Sequence, residues 1–199
     1  MRKDGTIKNG GNFLVKNSTI TETSGAEGCH ATSTLSSLTT GAEPPFVIEF
    51  KDSLIEGCVT GILISGNTQA IFNGNIIRNN DKVGVMIRKS GIANFENNTI
   101  QDNGGQTGAS GKPGYGGVAI DPVSSGQAPQ VDLGGGEIEI GGVIRSSAGG
   151  NTLCNNYDHT GAGSGSLQVD NGYGGPSVSA LYNDWCGQTP ATRGSVLVE

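Results

Sequence analysis

Five short apolar segments each end on a polar residue: "GILIS" on Ser65, "GVMIR" on Arg88, "GVAID" on Asp121, "SLQVD" on Asp170 and "SVLVE" on Glu199. If the segments lie side by side as parallel strands, these last residues form one outward column, with neighbours about 5 Å apart. That matches the roughly 5–5.5 Å between the two carboxyl groups of a retaining glycosidase. Crowded carboxylates also raise one pKa, as an acid catalyst requires. Asp121 and Asp170 are therefore the candidate catalytic residues. The same oxygens could instead hold Ca²⁺, or form an ordinary solvated face in which Arg88 balances Asp121.

Sugar-binding clefts offer aromatic faces, and only 5 % of this chain is aromatic. Phe50, Phe72, Phe95 and Trp185 recur at positions that a core would claim, whereas Tyr115, Tyr157 and Tyr173 fall in Gly-rich inserts. With Arg88, and with His159 of "NNYDHTG" as an acid or base near neutral pH, these tyrosines are the candidate ligand surface. The plainer reading is that the tyrosines cover the coils beneath and His159 is idle. The column Leu63, Met86, Ala119, Gln168, Leu197 lacks the stacked Thr of an ice-binding face. "GASGK" (108–112) is no phosphate loop: only two residues separate Gly108 from Gly111, Pro113 follows Lys112, and a strand pattern follows instead of a helix. There is no C-x2-C and the two His stand apart, so no metal centre is expected.

The elements that must position these residues form a repeat. Its template is a large apolar residue, a small polar residue three later and an aliphatic residue two further on. It occurs as "VKNSTI", "FKDSLI", "FNGNII", "FENNTI", "AGGNTL" and "ALYNDW", starting at Val15, Phe50, Phe72, Phe95, Ala148 and Ala180. Five of the six carry one of the short strands above behind them, and "FVIEF", "TQAIF", "GIANF" and "PSVSA" precede four. The tightest spacings are 22 and 23 residues. The excess elsewhere sits in Gly/Ser/Thr/Pro-rich stretches at 21–45, 104–116, 134–147, 157–165 and 186–194, which read as inserted loops.

A unit this short, with three alternating strands, cannot bury its own apolar face, but stacked units can. Period 2 puts Ile62/Ile64, Val85/Ile87, Val118/Ile120, Leu167/Val169 and Val196/Val198 inside. Ile20, Ile55, Ile77, Ile100, Leu153 and Trp185 form a second interior column. Ser18, Ser53, Asn75, Asn98, Asn151 and Asn183 would stack at a turn, because Asn tolerates left-handed backbone and its amide can bond the turns above and below. No stretch of ten residues keeps helical periodicity without an interrupting Gly or Asn.

Composition agrees. Gly makes up 35 of 199 residues, against a usual ~7 %, and there is no Gly-X-Y period. A net charge of −6 argues against a nucleic-acid partner. No apolar run approaches the ~18–20 residues of a membrane span. "MRKDGTIKNGGNF" lacks the apolar centre of a signal peptide, so the expectation is a mature chain or a piece of a longer one.

Cys154 follows Leu153 and Cys186 follows Trp185, so they share a register in consecutive turns. Stacking at ~4.8 Å places them within disulfide reach. The preferred pairing of the three that four Cys allow is 154–186 with 29–58, against the alternative of unpaired buried thiols. Bridges would imply an extracellular, cell-surface or periplasmic location.

"GNIIRNNDKVGVMI" and "NNTIQDNG" resemble the coils of right-handed parallel β-helix proteins of the pectin-lyase-like superfamily. "VDLGGG" with "GGNTLCNN" is similar to the closing coils of secreted β-helix domains of unknown function. The resemblance implies an all-β, single-stranded right-handed parallel β-helix of about six coils with loop insertions, with 1–199 as one domain or a segment of a longer chain. The superfamily includes polysaccharide lyases and hydrolases as well as surface proteins. The "NTD", double-Asp, "HG" and "RIK" set of polygalacturonases and the "DPHD" of the epimerases are absent here. The preferred expectation is a secreted or cell-surface structural module that presents loops for adhesion, carbohydrate contact or assembly, with no cofactor unless Ca²⁺. A polysaccharide or surface glycan is the expected partner. "VLVE" stops with no cap after it, so end-to-end self-association through open coil ends is expected as well. The alternative is a lyase or glycoside hydrolase working through Asp121 and Asp170.

Overall fold

The computed structural model describes residues 12–21, 31–35, 45–104, 115–121, 128–158, 165–171 and 176–199. The chain winds repeatedly past three parallel sheets. The first stacks β1 (Asn12–Lys16), β4 (Phe46–Lys51), β7 (Thr68–Asn73), β10 (Ile92–Glu96), β13 (Gln130–Gly134), β20 (Val178–Ala180) and β22 (Val196–Leu197). The second stacks β2 (Thr19–Thr21), β5 (Leu54–Glu56), β8 (Ile76–Arg78), β11 (Thr99–Gln101) and β16 (Thr152–Cys154). The third stacks β3 (Ala31–Leu35), β6 (Thr60–Gly66), β9 (Val83–Arg88), β12 (Gly116–Asp121), β19 (Val169–Asn171) and β21 (Thr192–Gly194). Each strand hydrogen-bonds to its counterpart one turn away, which is a parallel β-helix.

The interior is built from the expected columns. The rings of Phe50, Phe72 and Phe95 stack with centroids 5.1 and 4.5 Å apart, the separation set by the strand spacing. Ile20, Ile55, Ile77, Ile100 and Leu153 run in register along the second sheet. Trp185 closes that end of the core.

Two corners turn each coil. At the first, Asn17, Asp52, Gly74, Asn97, Gly150 and Tyr182 take φ between 49° and 69°. This left-handed backbone is one that Gly and Asn adopt at least cost. The expected polar ladder is formed by the next residue in each coil, so the left-handed backbone falls one residue before the ladder positions and not on them. Ser18 N donates to Ser53 Oγ, Ser53 N to Asn75 Oδ1, and the amides of Asn75, Asn98, Asn151 and Asn183 then link in series at 2.9 Å. Five residues on, a second ladder stands at the other corner. Asn80 donates to Asn103, Asn103 to Asn156, and Asn156 to Gln168, at 2.7–2.9 Å. Cys58 holds the equivalent place one coil earlier, its N–H donating to Asn80 Oδ1. Beside this ladder Gly61, Gly84 and Gly117 are the second residues of β6, β9 and β12. A Cβ on Gly84 would lie 2.8 Å from Gly117 O and 2.9 Å from Asn103 Nδ2, so the packing admits only hydrogen there.

Three expectations need correction. The stretch 134–147 is not a simple loop: β14 (Glu137–Ile140) and β15 (Val143–Ser146) form an antiparallel hairpin turning at Gly141–Gly142, both at positive φ. Its base is held by buried Asp132, whose oxygens accept the N–H groups of Gly134, Gly136 and Ser147 and the Asn94 amide. The hairpin therefore sits inside a coil, and the strand before the Asn151 corner is β13, not the segment at Ala148. Secondly, "SVLVE" does not join the third sheet: Val196 and Leu197 pair with Val178 and Ser179 in the first, and β21 ends the third. Thirdly, Val118 pairs with Val169, not with Leu167. Gln168 supplies the last acceptor of the Asn156 ladder while its carbonyl receives Val118 N–H. That pins the strand two residues from the expected register.

Cys154 and Cys186 are bridged, with Cα atoms 5.9 Å apart. Cys58 is also in a disulfide. Cys29 lies outside the described residues.

Candidate functional site

The outer face of the third sheet carries the residues singled out for chemistry. Ser65, Arg88 and Asp121 fall in register on β6, β9 and β12, as expected. Asp170 does not join them: it stands opposite Ala119 and Arg193. The carboxylate pair is thus two residues out of register, because the Gln168 anchor moved the strand. Glu199 is elsewhere, accepting the Tyr182 N–H at 3.0 Å.

Each aspartate has an arginine partner. Arg88 Nε donates to Asp121 Oδ2 at 3.0 Å across neighbouring strands. The Arg88 side chain is 41 % exposed and the Asp121 side chain 15 %. Asp170 is wholly buried. Its oxygens receive Arg193 Nε at 2.8 Å and Arg193 Nη2, a bidentate pair. Burying a carboxylate demands such a partner, and planar guanidinium matches it atom for atom. Proton transfer with a substrate needs a carboxyl within hydrogen-bond reach of it. Asp170 offers no exposed surface, and both of its oxygens are already engaged. Arg193 lies on β21, inside the stretch 186–194 that the sequence reads as an inserted loop, so sequence reasoning did not find it.

Alongside these pairs is a small apolar patch. Val83, Met86 and Ala119 are buried on the outer side of the main core, with Leu63 and Tyr115 packed against them. The outward column is accordingly Leu63, Met86, Ala119, Asp170, Arg193, which replaces Gln168 and Leu197 in the expected one.

Tyr115 leads into β12, its N–H bonded to Lys82 O. Tyr157 begins the short hairpin of β17 (Tyr157–Asp158) and β18 (Gly165–Ser166). Its carbonyl lies where a side chain on Gly104 would be, and its ring side is exposed. Both tyrosines leave the second corner toward the entry edge of the third sheet. His159 and Tyr173 lie outside the described residues. Among the described residues no group of three His, Cys, Asp or Glu side chains could hold a metal ion.

Comparison with known proteins agrees with this architecture. A family model for a right-handed β-helix region matches residues 5–172. Neither a search of curated proteins nor one of solved structures returned a match. With the family model covering well over half of the sequence, and three parallel sheets stacked around one interior, the chain belongs to the right-handed β-helix family.

Proposed function

We propose that this β-helix is a non-catalytic structural module, exported to an oxidising compartment, that presents the outer face of its third sheet and its inserted loops for glycan contact, adhesion or assembly. The observation that carries the reading is the state of the aspartates. Asp121 and Asp170 are out of register with each other, and each is engaged by an arginine. The Cys154–Cys186 bridge supports export. Tyr115 and Tyr157 at the entry edge of the sheet support contact with a sugar through stacking, and half-exposed Arg88 at the far end of β9 offers a separate charged contact for an acidic one. Assembly is favoured by the outermost strands of the first sheet, where Phe13, Leu14 and Leu197 are more than half exposed.

The test is a panel of acidic and neutral polysaccharides incubated with the chain, with and without Ca²⁺. New reducing ends and unsaturated-product absorbance report turnover, and retention on immobilised glycan reports binding. Binding without turnover, weakened in Tyr115→Ala or Tyr157→Ala, is expected. Turnover abolished by Asp121→Asn would overturn the proposal in favour of a lyase or hydrolase.

A further inference from the structure

Asn17-Ser18-Thr19 and Asn97-Asn98-Thr99 are the two Asn-x-Ser/Thr tripeptides in the chain. This is the acceptor pattern for N-linked glycan. On its own the pattern says little, because the first corner independently selects Asn for left-handed backbone and Ser or Asn for the ladder. The fold adds to it.

Both acceptor asparagines occupy the same place in the repeat, the left-handed residue of the first corner, with φ of 50° and 56°. Both are exposed, whereas the ladder residue between Asn97 and Thr99 is buried. The hydroxyl residues Thr19 and Thr99 start β2 and β11, each on the outer side of the second sheet and at least partly exposed. Finally, the neighbours of Asn97 along the corner are Gly74 and Gly150. A methyl group at Gly150 would come within 2.6 Å of Asn97 Oδ1, so the absence of a side chain at Gly150 leaves room beside this amide. The Asn97 amide nitrogen donates to no group among the described residues, in contrast to the amide of Asn98, which bonds Phe72 O and Asn151 Oδ1.

We propose that Asn97, and with it Asn17, is an acceptor for N-linked glycan, placing sugar along the ridge between the first and second sheets. The co-reactant is a polyprenyl-pyrophosphate-linked oligosaccharide presented by a membrane transferase. The bond from amide Nδ2 to sugar C1 forms as the C1–oxygen bond to the pyrophosphate breaks. The amide loses one proton and the lipid pyrophosphate leaves, with no change of oxidation state. The proposal rests on the export reading above. It also leaves the outer face of the third sheet clear, since that sheet meets neither side of this corner.

The experiment is expression of the full chain through the secretory pathway of a cultured eukaryotic cell. Expected is a mobility shift that peptide-N-glycosidase removes, reduced by one step in Asn97→Gln and by another in Asn17→Gln. Thr99→Val, which keeps a β-branched residue in the strand, should remove the Asn97 step, and Thr99→Ser should retain it. A secreted chain with Cys154–Cys186 closed and no shift would overturn the glycan proposal and leave the export reading standing. A chain that neither leaves the cell nor closes that bridge would overturn both.

Discussion

Asn98 offers the sharpest test of what holds the coils together. Its Oδ1 accepts the N–H of Asn75 at 3.0 Å and the Asn75 amide at 2.9 Å. Its Nδ2 donates to Phe72 O at 3.0 Å and to Asn151 Oδ1 at 2.9 Å. The residue is 1 % exposed, so water cannot replace these partners without opening the corner. Asn98→Ala would leave two donors of Asn75 without the acceptor they share. Each buried polar group left unsatisfied costs about 1–3 kcal/mol, so the expected loss is roughly 2–6 kcal/mol. The ladder itself provides the control. Serine already serves at positions 18 and 53, where Ser53 Oγ accepts Ser18 N–H at 3.2 Å and donates to Lys51 O at 2.8 Å. Asn98→Ser should therefore keep the bond from Asn75 N and lose only about half as much. Equilibrium urea unfolding followed by circular dichroism measures both, with the shift in midpoint at unchanged slope reading stability. If Asn98→Ala unfolds within about 0.5 kcal/mol of the parent, the spread of an ordinary surface substitution, the ladder is a consequence of the coil geometry and not a source of its stability.

Three further outcomes follow from the same geometry. The two Arg–Asp pairs of the third sheet should differ sharply: Arg193→Ala removes the bidentate partner of wholly buried Asp170 and should cost roughly 3 kcal/mol or more, while Arg88→Ala breaks a half-exposed pair and should cost about 0–1 kcal/mol; equal losses in thermal unfolding would contradict this. Gly84→Ala would force a Cβ against Gly117 O and should destabilise by about 1–3 kcal/mol through overpacking, read as faster amide exchange across β9 and β12; unchanged exchange would show that the coils can separate at little cost. Replacing both Cys154 and Cys186 by Ser opens a loop of 32 residues and should cost about 3–4 kcal/mol by loop-closure entropy, measured by urea unfolding of the double variant against the parent; a change under about 1 kcal/mol would mean that the last coil is held by its hydrogen bonds alone.

How much of this was legible beforehand depended on distance along the chain. The stack of Phe50, Phe72 and Phe95 could be read directly, because these coils repeat every 22 or 23 residues with little inserted between them, and the Ile column and the Ser/Asn ladder extend it across the longer inserts by repeating their residue types at the same place in the template. The Cys154–Cys186 bridge followed from the same alignment. The second ladder was equally present in the text, since Asn80, Asn103 and Asn156 each lie five residues after a residue of the first. It is less conspicuous because its first and last places are taken by Cys58 and Gln168 and not by Asn. Arg88 beside Asp121 was visible as the balancing charge of a polar face.

The sequence by itself therefore determined the coil: which residues stack inside and which hydrogen-bond between turns at the first corner, though not the left-handed residue, which falls one place earlier than the ladder. Those choices are local, and each repeats a residue type at a fixed place. Only the tertiary structure decided where the late strands sit, and with them the candidate site. The reason lies in the period of the strand. A slip of one residue moves every side chain to the opposite face, so alternation forbids it. A slip of two keeps every residue on its own face, so alternation cannot detect it. Across the stretch from Val118 on β12 to Val169 on β19 nothing local chooses between such registers. The contact from Asn156 to Gln168 does, and by choosing it separates Asp170 from Asp121 and delivers it, buried, to Arg193.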